Sequence, residues 1–215
     1  MLPGIGGDSF VSSNIANGLV DGQVPGQIEV FDWTSGNALR SFEHLLDQDR
    51  IFDQSLRLSE RIQRSQRDFP NRPISLVAHS GGAGVVMTAL ENLPDNQPVA
   101  SVVLLAPAVS ADYPVQNIIH KVTAGLWLFY SPLDVQLTVG TTVTGTIDGD
   151  HAPAAGGRGF NTQVPGLVQV PFRPSMAVDR NLGGHLGTTN SKFVGRQVAP
   201  IIRNAHIAAC PEFFR

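Results

Sequence analysis

A chain of 215 residues, 42% hydrophobic and 15% charged, is long enough to bury a sizeable core, and one domain over residues 1–215 is the expectation. Fifteen Lys and Arg against eighteen Asp and Glu leave a net charge of -3, which supplies no electrostatic footprint for nucleic acid. A single cysteine, Cys210, excludes an intrachain disulfide and a thiolate zinc site. Apolar runs such as Val102 to Ala106 fall far short of the roughly 20 residues of a membrane span. No basic stretch, apolar stretch and cleavage site follow one another at the start, so no secretory signal is visible, and the expectation is a cytoplasmic or unknown location.

Along the chain, Asp8 is placed to cap a short helix through Leu19, and Gln27 to Trp33 reads as the first strand. From Asn37 to Phe69, Leu39, Phe42, Leu45, Leu46, Leu56 and Ile62 recur at helical spacing among polar residues, which predicts one or two amphipathic helices. Nearly continuous apolar runs at Ile74 to Ala78, Ser101 to Ala106, Leu126 to Tyr130 and Leu167 to Val170 predict strands covered on both faces. The stretch from Thr138 to Pro165 is rich in Gly, Thr and Pro and reads as a long loop. Asn190 or Ser191 caps a last helix carrying Phe193, Val194, Val198, Ile201 and Ile202, kinked or split by Pro200. Strands alternating with helices predict an α/β fold: a mostly parallel sheet of about five or six strands flanked by helices.

Ile74-Ser75-Leu76-Val77-Ala78-His79-Ser80-Gly81-Gly82-Ala83-Gly84 runs from a buried strand through a serine into small residues able to open a helix. A nucleophile on so sharp a turn requires small residues two before and two after it, which Ala78 and Gly82 provide. Ala78 stands where the G-x-S-x-G pattern has its first glycine. A serine hydroxyl needs a base, and the base needs a group that fixes its tautomer. Asp134, on the turn after Leu128-Phe129-Tyr130, is the candidate acid, with Asp112 as its alternative. His185, in Gly183-Gly184-His185, is the candidate base, and His151 in the long loop is its rival. The glycine-rich turn Pro3-Gly4-Ile5-Gly6-Gly7 can aim backbone N–H groups at an oxyanion, a role assigned to Ile5 and Gly81.

In their order and at these strand ends, Pro3 to Gly7, Ala78 to Gly82, Ser131 to Asp134 and Gly183 to His185 together resemble the α/β-hydrolase fold family over nearly the whole chain. The resemblance implies a serine hydrolase with Ser80, Asp134 and His185 as its triad. In that family the oxyanion turn follows a strand, whereas here it lies beside Met1, so the expectation is a reduced sheet or leading strands missing from the sequence. The short connection from Pro107 to Gly125 leaves no room for a large cap, which predicts an open site for esters of short to medium acyl chains. Acyl transfer or thioester cleavage by the same triad, and a non-catalytic binding role, are the rivals. No cofactor or metal is called for, since the Asp148, Asp150 and His151 group lacks a spaced ligand set. His79 is expected to point away from Ser80 and to be structural. Trp33, Trp127 and the phenylalanines are read as core, and Cys210 as a thiol without a role.

Overall fold

The computed structural model describes residues 1–35, 47–135, 137, 146–149 and 152–210. Its helices, in chain order, are α1 (Phe10–Asp21), α2 (Gln48–Asp68), α3 (Gly82–Glu91), the single turn α4 (Ala155–Arg158), the short α5 (Ser191–Phe193) and α6 (Ala199–Ala209). Among the described residues the sheet holds four strands, β1 (Ser75–His79), β2 (Ser101–Leu105), β3 (Leu126–Tyr130) and β4 (Leu167–Pro171). They are all parallel and lie in sequence order, β1-β2-β3-β4.

Strand alternation divides the core in two. Leu76, Ala78, Val102, Leu104, Leu126 and Leu128 face α3, which packs against Ile51, Leu58 and Ile62 of α2. Val77, Val103, Leu105 and Phe129 face the other way, against Ile15 and Leu19 of α1 and Phe193, Val194, Val198 and Ile202 near the C-terminus. A parallel sheet sandwiched by helices explains why its strands read as unbroken apolar runs.

Among the described residues the sheet is one or two strands smaller than expected, and one of the expected strands, Gln27 to Trp33, is not formed. That segment's neighbour is Met1, whose carbonyl accepts from Phe31 N–H at 2.9 Å and whose ammonium donates to the Glu29 carbonyl. Beyond Met1, only Leu2 continues toward the sheet, through a single parallel bridge to Ala78, so the pairing is too short to make a ladder. At α1 the cap is Ser9 rather than Asp8. The Asp8 carboxylate is taken by the Ser12 hydroxyl at 2.7 Å, while Ser9 N–H donates to Ser12 Oγ.

The amphipathic region is one helix, α2, capped by Asp47, whose carboxylate accepts from Arg50 N–H at 3.0 Å. Leu39, Phe42, Leu45 and Leu46 lie outside the described residues. The described part of the Thr138 to Pro165 stretch is not structureless: it binds the segment that follows β2. Ile147 donates to the Ala108 carbonyl, Ala155 to Val109 and Gly156 to Pro107, and α4 forms there. Small residues permit the approach, since a Cβ on Gly156 would lie 2.6 Å from the Ala106 backbone. At the C-terminus Asn190 caps α5, accepting from Lys192 N–H at 3.1 Å. A π-helical segment over Val194–Val198 then separates α5 from α6. Pro200 lies in the first turn of α6. Its ring and missing N–H disfavour an ordinary helical turn over the preceding residues, so the helix divides where the sequence places its kink.

Candidate active site

β1 ends at His79, and the chain turns into α3 through Ser80 at φ 51°, a conformation that costs a non-glycine residue about 1–2 kcal/mol. Three backbone hydrogen bonds hold it there. Ser80 N–H donates to Leu105 at 3.0 Å, and the Ser80 carbonyl accepts from Ala83 and Ala108, each at 3.1 Å. The small residues around it act as the spacing predicts. A Cβ on Gly82 would stand 2.4 Å from the Pro3 carbonyl oxygen and 3.0 Å from that of Leu2, so the N-terminal turn closes over α3 only because Gly82 has no side chain.

Ser80 Oγ lies 3.0 Å from His185 Nε2, and His185 Nδ1 lies 2.7 Å from Asp134 Oδ2. The carboxylate can only accept, so the neutral imidazole carries its proton on Nδ1 and Nε2 accepts from the serine hydroxyl. All three are largely enclosed: Ser80 is 6% exposed, the His185 side chain 15% and that of Asp134 1%. The second Asp134 oxygen accepts from Leu137 N–H at 3.1 Å. The turn beneath it is fixed by Ser131, whose carbonyl accepts from Asp134 N–H at 3.0 Å and whose hydroxyl accepts from Leu133 N–H.

The loop carrying His185 is set by Asn181, a buried residue that the sequence reading did not single out. Its Oδ1 accepts from Gly183 N–H at 2.9 Å, with Gly183 at φ 84°. A Cβ on Gly187 would lie 2.2 Å from the same oxygen. Below the loop, buried Asp179 binds Arg196 at 2.9 Å and Gln197 at 2.8 Å, tying it to the C-terminal helical region. These polar contacts hold its carboxyl below the usual carboxylate range, the Gln197 hydrogen bond contributing most.

Ile5 and Gly81 come together as neighbours: a Cβ on Gly81 would lie 2.9 Å from Ile5 Cγ2. The turn bearing Ile5 is closed by Gly7 N–H donating to the Gly4 carbonyl at 3.0 Å. It is also pinned by Trp33, whose indole N–H donates to the Pro3 carbonyl at 2.8 Å. Trp33 is core, as expected, and through that hydrogen bond it also locates the turn. Of the alternative residues, Asp112 is exposed and accepts from Asn161 Nδ2 at 2.7 Å, whereas the carboxylate on His185 is that of Asp134. His151 and Asp150 lie outside the described residues. Among the described residues no cluster of His, Cys, Asp or Glu could hold a metal ion. Nor is any described helix long and apolar enough to cross a membrane.

An open depression of about 350 Å³ lies against His185, lined by Arg180, Leu182, Gly184, Leu186 and Gly187. A larger groove, about 960 Å³, runs along the free edge of β1 and touches neither Ser80, Asp134 nor His185. Of the two, only the smaller depression touches one of these three residues, His185.

No curated protein and no solved structure matches the chain. One family model, described as an alpha/beta hydrolase of unknown function (DUF900), matches residues 11–160, a stretch that contains Ser80 and Asp134 and stops short of His185. With that match spanning well over half of its length, and with a parallel sheet flanked by helices, the chain belongs to this alpha/beta hydrolase family.

Proposed function

We propose that the protein is a serine hydrolase that cleaves carboxylic esters of short to medium acyl chains through an acyl-enzyme. The observation that carries this reading is the continuous path from Ser80 Oγ to His185 Nε2 at 3.0 Å and from His185 Nδ1 to Asp134 at 2.7 Å, with the serine on a strained turn between β1 and α3. As Ser80 attacks the ester carbonyl, His185 takes its proton, and Asp134 holds the ring and stabilises the imidazolium. His185 then gives the proton to the departing alcohol. Water, deprotonated by the same nitrogen, attacks the acyl group and regenerates Ser80.

The developing oxyanion falls to the amides of Ile5 and Gly81, with the N-terminus of α3 adding its partial positive charge. Gly81 N–H has no acceptor among the described residues, which leaves it available for this role. The open depression beside His185 favours small esters over an enclosed metabolite. The test is turnover of a p-nitrophenyl ester series by wild type and Ser80→Ala, with product analysis in the presence of a competing alcohol. Hydrolysis that disappears with Ser80 supports the reading. Transfer of the acyl group to the alcohol in place of hydrolysis would make the protein an acyltransferase. A folded wild type without turnover on any ester would favour a binding role.

A further inference from the structure

The residue before the nucleophile occupies a particular place. His79 is 3% exposed and lies between the Pro3–Ile5 turn and the loop of His185. Its Nε2 is 3.4 Å from the His185 carbonyl oxygen, and the two rings stand 4.9 Å apart, tilted by 44°. A carbonyl can only accept, so Nε2 carries the proton and the neutral ring presents a lone pair at Nδ1. That lone pair is buried without a hydrogen-bond partner and faces Gly4, where a Cβ would come within 3.1 Å of it and 3.2 Å of Ser80 Cβ.

An unpaired buried acceptor is a cost that a phenylalanine or leucine at this position would avoid. The return visible in the structure is the tether to His185. We propose that His79 is a positioning residue, whose Nε2–H holds the His185 backbone so that the His185 imidazole spans Ser80 and Asp134. The inference rests on reading those three residues as the reacting set. It gives the imidazole one job that a ring of equal size cannot do, donation to a carbonyl, and one that a small donor cannot do, support of the neighbouring ring. Donation is the part that orients the base, because it acts on the His185 main chain.

Burial leaves His79 neutral, which also matters to the base. The titratable group facing it is His185, which becomes an imidazolium during the reaction; a second charge 4.9 Å away would oppose that step. On its other side His79 meets Gly4 and Ser80, neither of which carries charge.

The test compares kcat, KM and melting temperature on p-nitrophenyl butyrate for wild type, His79→Phe and His79→Gln. It is paired with the imidazole ¹⁵N spectrum of the wild type. His79→Phe keeps the ring and loses the donor, so kcat should fall about tenfold with KM within about twofold, while His79→Gln, which keeps an N–H, recovers most of kcat. In the spectrum His79 should be neutral with its proton on Nε2. Equal losses in both variants, losses in neither, or a His79 protonated on Nδ1 would overturn the proposal. A purely structural role would lower the melting temperature without separating kcat from KM or Gln from Phe. Should His79→Phe fail to fold, the spectrum decides. Failure of the serine-hydrolase reading looks different, since wild type itself would turn over no ester while the spectrum would still report on the tether.

Discussion

At the scale of single residues, the glycines and the proposed triad partners carry different burdens. Gly82 makes room for backbone, which cannot swing aside as a side chain can. Gly82→Ala should therefore destabilise the protein by about 1–3 kcal/mol, measured by urea denaturation, and move the Ile5 turn enough to slow turnover. Asp134→Asn should behave in the opposite way. The amide can replace the carboxylate in shape, yet it can present an N–H to His185 Nδ1 and select the wrong tautomer. Its melting temperature should stay close to wild type while kcat falls on the order of 10⁴-fold. Loss of melting temperature and activity in parallel would instead make Asp134 a packing residue.

Among the elements, the turn before α1 depends on a partner far along the chain. The Trp33 indole donates to the Pro3 carbonyl, and replacing it by phenylalanine would remove that donor from the turn that packs on Gly82. Trp33→Phe should cost about 1–3 kcal/mol in denaturant unfolding, with a fall in kcat greater than any change in KM. How far such elements could be read in advance depended on whether their causes are local. The four strands of the sheet fall within a residue or two of the apolar runs that announce them, because strands buried on both faces carry unbroken hydrophobic stretches. Gln27 to Trp33 is instead broken by Glu29 and Asp32, and among the described residues its backbone pairs with that of Met1, while Leu2 alone bridges to Ala78 of β1. Asn181 and Trp33 were invisible as site residues for the same reason: each acts through a contact that folding creates. Ser80, Asp134 and His185 could be singled out because each follows a strand or sits in a glycine-rich loop, and the fold brings them within hydrogen-bonding distance.

For the molecule as a whole, the buried histidines tie stability to pH. Desolvation lowers the His79 pKa to about 3 from an ordinary value near 6.5, with the proximity of His185 acting in the same direction. Between those pH values the unfolded chain binds a proton at this position and the native protein does not, so stability must fall as pH falls. Burial lowers His206 as well and adds to the same slope. Unfolding free energy should thus be flat above about pH 7 and decline from about pH 6.5 downward, before most carboxylates titrate. His79→Gln should flatten much of that decline, as followed by urea denaturation across the range. An unchanged slope in the variant would mean that another group governs the acid limb.

The most direct test of the proposed chemistry is intact-mass labelling with a fluorophosphonate, which reacts with a serine only when a base has activated it. Wild type should take up one label per chain, and both Ser80→Ala and His185→Ala, shown to be folded, should take up none. A folded wild type that remains unlabelled, or a Ser80→Ala variant that labels as wild type does, would contradict the assignment of Ser80 as the nucleophile.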